Sequence, residues 1–141
     1  MKLSVRIRLV LQMKVLISGD REWTDVETIV AALEMLPPGS IIVHGDCRGA
    51  DVIARECAIA MGIRHRPYKA KWHLYGNSAG AIRNREMVRA EHLPEEPIEL
   101  VLAFHDSLTE KSKGTRDMTT VAEAVGIPWV LCLSAAKRAN M

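Results

Sequence analysis

The stretch "KVLISGDREWTDVETIVAALEMLPPGSIIVHGDCRGADVIA", residues 14–54, decides the fold. An apolar run over residues 14–18 stops at Gly19-Asp20-Arg21, which reads as a strand entering a turn. Thr24 stands where an N-cap belongs, before a helix over residues 25–36. Val26, Ile29, Val30, Leu33 and Leu36 recur there at helical spacing. Pro37-Pro38-Gly39 ends that helix. Residues 40–44 read as a second strand, and a polar turn carries the chain into a second helix over residues 50–61, with Ile53, Cys57, Ala60 and Met61 on one face. Gly62 closes it.

The alternation continues outward. Residues 63–68 read as a short third strand, and residues 69–80, "KAKWHLYGNSAG", as irregular. A third helix follows over residues 81–93. "IELVLAF" is a strongly apolar fourth strand, residues 105–114 form a polar loop, Thr115 opens a fourth helix that Gly126 ends, and "IPWVLCL" is the last strand. This pattern predicts a single α/β domain in three layers: a mostly parallel sheet of about five strands, helices on both faces, right-handed crossovers. Its strands read as apolar runs buried on both sides. The domain spans residues 13–133. Residues 1–12 form an extension or edge strand, and residues 134–141 a tail that is frayed or a short helix.

The 141 residues suffice for one core. A net charge of +2 and 4% aromatic residues speak against nucleic-acid binding by bulk charge or base stacking. The opening residues are too short and too charged to span a membrane and carry no secretory core. The three cysteines show no zinc-like spacing, so no metal is expected, and their odd number points to a reducing cytoplasm.

Three glycine-bearing loops fall at strand ends or helix starts: Gly19-Asp20-Arg21, the run from Gly45 through Asp46, Arg48 and Gly49 to Asp51, and Lys113-Gly114-Thr115-Arg116-Asp117. In such a fold the carboxyl ends of the strands gather into one ligand-binding edge. Helix starts offer free N–H groups to an anion, and glycine admits a phosphate close to the backbone. Arg21, Arg48, Lys113 and Arg116 add positive charge. The fingerprints of dinucleotide sites, P-loops, nucleophile elbows and zinc proteases are absent. His44 and His105 follow predicted strands, where a histidine either faces the site or, more often, is a hydrogen-bonded structural residue. Cys47 has no candidate base except His44, so it is not counted as a nucleophile.

"ISGDREWTD", "IVHGDCRGADVIA", "YGNSAGAIRNREMV", "LVLAFHD" and "KGTRDM", in this order, closely resemble the YspA-like, cpYpsA-related branch of the SLOG superfamily. The resemblance runs from about Met13 to Leu133. It implies a Rossmann-like domain and a nucleotide or nucleotide-derived ligand, such as a nucleoside monophosphate, NAD or ADP-ribose, with no required cofactor. It also implies roles in nucleotide signalling or conflict systems, including phage-encoded ones, and homodimers, for which Met87, Val88, Val121 and Val125 are candidate contacts.

The lonely-guy phosphoribohydrolases of the same superfamily allow a residue-by-residue comparison. Arg83-Asn84-Arg85-Glu86-Met87 is similar to their Arg-Lys-x-x-Met motif, with Asn84 in place of lysine. Gly114-Thr115-Arg116-Asp117-Met118 is similar to the end of their phosphate loop, but Met118 occupies the position of the catalytic glutamate. The resemblance therefore implies ligand contacts by Arg83 and Asn84 and leaves Asp117, Asp46 and Glu86 as candidate carboxylates for N-glycosidic cleavage. Asp46, Asp51 and Asp117 also suit ribose hydroxyls, and Trp23 or Trp72 suits the base. Three readings stand: a nucleotide-ligand binder, an N-glycosidic hydrolase or transferase, and a nucleic-acid- or protein-binding module.

Overall fold

The computed structural model describes residues 12–109 and 112–141. The reading of residues 1–12 as an extension or edge strand falls, for all but Gln12, outside the described residues. The elements run β1 (Lys14–Gly19), α1 (Val26–Glu34), β2 (Ile41–His44), α2 (Ala50–Met61), β3 (Arg64–Pro67), α3 (Trp72–Tyr75), a 3-10 turn (Gly76–Ser78), α4 (Ala79–Glu91), β4 (Leu100–Phe104), α5 (Lys113–Val125), β5 (Trp129–Cys132) and α6 (Ala135–Ala139).

The five strands form one parallel sheet in the order β3-β2-β1-β4-β5. Its side chains alternate between two apolar clusters. Val15, Ile17, Ile42, Leu102 and Phe104 pack with Ile29 and Leu33 of α1 and Ala54 and Ala58 of α2. Leu16, Val43 and Val101 pack with Met87 and Val88 of α4 and Met118, Val121 and Ala122 of α5. This is the three-layer α/β architecture that the alternation predicts.

Several local expectations change. Asp25, not Thr24, caps α1: its Oδ1 accepts the N–H of Thr28 at 3.1 Å and its Oδ2 the Thr28 hydroxyl at 2.5 Å. The buried face of α2 is Ala50, Asp51, Ala54 and Ala58, while Ala60 and Met61 are exposed. Small residues there let the helix lie close to the sheet. Residues 72–78 are ordered as a short helix and a 3-10 turn, and α5 begins at Lys113 rather than after Thr115. Burial on both faces holds for β1, β2 and β4. The edge strands β3 and β5 carry exposed residues, as strands with one free side do. Of the candidate subunit contacts, Met87, Val88 and Val121 pack in the chain's own core, while Val125 is exposed. No helix among the described residues is long and apolar enough to cross a membrane.

Candidate functional site

The strand order reverses direction between β1 and β4, and the chain splays there. The carbonyl of Asp20, just past β1, accepts the N–H of Trp23 at 3.1 Å and of Ala50 at 3.0 Å, and its own N–H donates to Phe104 at 2.9 Å. One residue thus ties the ends of β1 and β4 to the start of α2. A cavity of about 730 Å³ opens above this knot, within the range of small-molecule sites. Gly19, Asp20 and Arg21 form its floor, Arg48 and Asp51 one wall, and Lys113, Gly114, Thr115 and Asp117 the opposite wall. Trp72, Asn77 and Gly80 close the side. A second cavity of about 290 Å³ adjoins it, lined by Gly45, Asp46 and Lys69, and shares Arg21, Cys47, Arg48 and Trp72 with the first.

The start of α5 lines the cavity with Lys113, Gly114 and Thr115. Helix geometry leaves the N–H groups of Lys113, Gly114 and Thr115 without intrahelical acceptors, and no described residue accepts from them. A Cβ on Gly114 would meet nothing within 4 Å, so this glycine leaves space open at the helix start.

The loop after β2 differs from its expected form. The Asp51 carboxylate folds back into it: Oδ2 accepts the N–H of Gly45 at 3.1 Å and of Cys47 at 3.3 Å. The N–H of Asp46 donates to His44 Nδ1 at 3.0 Å. Three of the loop's five N–H groups are thereby committed, leaving those of Arg48 and Gly49. The glycines serve packing. A Cβ on Gly45 would collide with the Arg83 guanidinium, and Gly49, at φ +82°, lies against the backbone of Asp20 and Arg21.

Several expected ligand contacts have other partners. Asp46, at φ +53°, pairs with Arg55 at 2.5 Å and Lys69 at 3.6 Å. Arg48 pairs with Glu22 at 2.7 Å on side chains 71% and 75% exposed. Arg83 is buried, donating from Nη1 to the carbonyls of Gly45 (2.7 Å) and Tyr68 (3.2 Å) and from Nε to Asn84 (3.0 Å). Asn84 in turn donates to Asp117 at 3.0 Å, and Arg85 grips both oxygens of Asp117 at 3.0 and 3.1 Å. Glu86 is exposed on α4, and neither it nor Arg116 lines the cavity. Trp23 is a core residue, 5% exposed, edge-on to Phe104, and does not reach the site. Trp72 does, with the Arg21 guanidinium 5.0 Å from its ring centre.

The two histidines part company. His44 is buried and stacked on His65, with Nε2 3.1 Å from His65 Nδ1; burial is the main reason its pKa falls to about 4. His105 lines the cavity. Its Nδ1 accepts the N–H of Ser107 at 3.0 Å, leaving Nε2 toward Asp20, 4.0 Å away. Burial raises Asp51 to about 6, against the pull of Arg83 and the two backbone donors. Asn77, Gly80 and Ser112 also line the cavity. The first two lie in the irregular glycine-bearing stretch, and Ser112 stands two residues before Gly114, so position was their only signal. Among the described residues no cluster of three metal-ligating side chains occurs.

A family model described as "YspA, cpYpsA-related SLOG family" matches residues 13–75, which run from β1 through α3. The Gene 61 protein of Mycobacterium phage D29 is 39% identical over 124 residues, covering 82% of this chain and 92% of that protein. No solved structure matches the chain significantly.

Proposed function

This chain belongs to the YspA, cpYpsA-related SLOG family, and from that membership we propose that it binds a nucleotide-derived ligand in the cavity between β1 and β4. The observation that carries the reading is the start of α5. Three N–H groups with no acceptor among the described residues, an unobstructed Gly114 and the Lys113 side chain line a cavity at the switch point of a parallel sheet. A phosphate sits there. The base lies across the cavity against the Arg21–Trp72 pair, and ribose hydroxyls meet Asp20 and His105 between them.

The charge of the lining narrows the ligand. Arg21, Arg48, Arg83 and Lys113 are balanced by Asp20, Glu22, Asp51 and Asp117. A balanced wall favours a ligand with one or two phosphates over a triphosphate, whose charge would need further cations. Binding is favoured over N-glycosidic cleavage. Asp117 and Asp46 are held in ion pairs, and Glu86 stands outside the cavity.

Titration calorimetry with AMP, NAD, ADP-ribose and ATP tests the proposal. Saturable binding of at least one of the first three, tighter than ATP, is expected. The absence of heat from all four would overturn it. Incubation with the same compounds followed by assay of released base separates binding from turnover.

A further inference from the structure

Cys47 differs from the other two cysteines in place and in neighbours. Cys57 and Cys132 pack against the apolar cluster shared by the sheet, α1 and α2, and burial pushes both thiols up. Cys47 lies on the wall common to the two cavities. Its Sγ is 3.7 Å from both Nη1 and Nη2 of Arg83. That guanidinium is pinned by the carbonyls of Gly45 and Tyr68 and by Asn84, so it cannot swing away. Two fixed donors are thus held beside the sulfur, the electropositive, partly exposed setting in which cysteines react.

Asp51 supplies an independent sign that this spot receives a polar group. It is 5% exposed and lines the larger cavity. Its Oδ2 accepts the N–H of Cys47, while its Oδ1 has no partner among the described residues. A buried polar oxygen left unpaired is costly and rare, so an incoming donor completes the site.

We propose that Cys47 is a covalent modification site inside the cavity, reacting with hydroperoxides and small soft electrophiles in preference to Cys57 and Cys132. With a hydroperoxide, the thiolate sulfur attacks the terminal oxygen. The S–O bond forms as the O–O bond breaks, and the leaving oxygen takes up, through water, the proton that the attacked oxygen carried, becoming an alcohol, or water from hydrogen peroxide. Sulfur gives up two electrons, the peroxide gains them, and a sulfenate remains. With an alkyl halide, an S–C bond replaces the C–halogen bond and halide leaves. Either product adds bulk to the wall shared by the two cavities.

The test uses the intact folded chain and limiting iodoacetamide at pH 7, with peptide mass spectrometry at timed points. Cys47 is expected to be alkylated at least about tenfold faster than Cys57 and Cys132, whose thiols are packed against the apolar cluster away from the Arg83 fork. Hydrogen peroxide with dimedone trapping is expected to mark Cys47 first. In urea the three rates are expected to converge. Equal rates in the folded chain, first labelling at Cys57 or Cys132, or a preference for Cys47 that persists in urea would each overturn the proposal. Arg83→Lys keeps the charge and loses the fork, so it slows Cys47 relative to Cys57; an unchanged ratio would remove Arg83 from the account.

Discussion

Nη1 of Arg83 lies 2.7 Å from the carbonyl oxygen of Gly45, bolting α4 to the loop after β2. The contact explains why position 45 carries no side chain, because any Cβ there runs into the guanidinium. Gly45→Ala is expected to lower stability by about 2 kcal/mol, as overpacking of a tight interior does. Arg83→Ala is expected to cost about 3 kcal/mol, since it strands the carbonyls of Gly45 and Tyr68. Urea unfolding measures both. A near-neutral Gly45→Ala would mean that Arg83 moves freely, contrary to its three pinned bonds.

His44 and Asp51 make opposing contributions to stability below neutral pH. The folded-state pKa of His44 falls from 6.5 to about 4, so the folded chain resists its protonation. Stability from this residue is complete above pH 6.5 and is lost as pH drops toward 4. Asp51 rises from 3.8 to about 6, so its ionisation opposes folding. Stability from this residue is complete below pH 3.8 and is lost as pH rises through 6. Each shift corresponds to about 3 kcal/mol, so the two nearly cancel across the same window. Unfolding free energy is therefore expected to be flat between pH 4.5 and 6.5 for the native sequence. Asp51→Asn removes one side of the balance and makes stability fall with acid, while His44→Gln makes it rise. Parallel pH curves for the two variants would contradict this assignment.

The order of elements was legible because parallel strands and their crossover helices leave apolar runs separated by glycine and proline, as in Pro37-Pro38-Gly39 and at Gly62 and Gly126. The last two indeed adopt left-handed caps. The convergence of Asp20, Arg48 and Gly114 on one edge followed from topology alone. What the sequence could not show was which polar groups were already taken. Asp51 reads as a partner for ribose hydroxyls, yet it turns back onto Gly45 and Cys47. Asp46 faces Arg55, nine residues away and one helix on. Trp23 and Trp72 look equivalent in a sequence, but Trp23 is followed by a helix that folds it under Phe104, while Trp72 begins a short helix with no buried face. Each of these depends on a tertiary partner that local pattern does not encode.

Two glycines separate anion binding from packing. Gly114→Ala adds a methyl group to open space in the first turn of α5, so stability is expected to hold or rise by up to about 1 kcal/mol. The same methyl crowds the approach of a phosphate to the helix start, and affinity for ADP-ribose is expected to fall about tenfold. Gly49→Ala, at φ +82° against the backbone of Asp20 and Arg21, is expected to lose stability by about 2 kcal/mol or more. Calorimetry and urea unfolding on both variants separate the effects. A Gly114→Ala variant with unchanged affinity would move the phosphate away from α5.

Trp72 is placed to report the ligand. Of the three tryptophans, Trp23 is buried beside Phe104, and Trp129 donates its indole N–H to Glu123 at 3.0 Å on the far edge strand. Only Trp72 lines the cavities, with Arg21 over its ring. A base that enters against this pair changes the polarity around one indole and leaves the other two alone. Tryptophan emission is expected to shift on addition of AMP or ADP-ribose and to stay still with inorganic phosphate, which needs only the α5 end. Trp72→Phe should abolish the shift while keeping an aromatic face for Arg21. Trp72→Ala should also weaken AMP binding about tenfold, the scale of one lost stacking contact. If the emission change survives in Trp72→Phe, the base does not lie against this pair, and the orientation with phosphate at α5 and base at Arg21 fails with it.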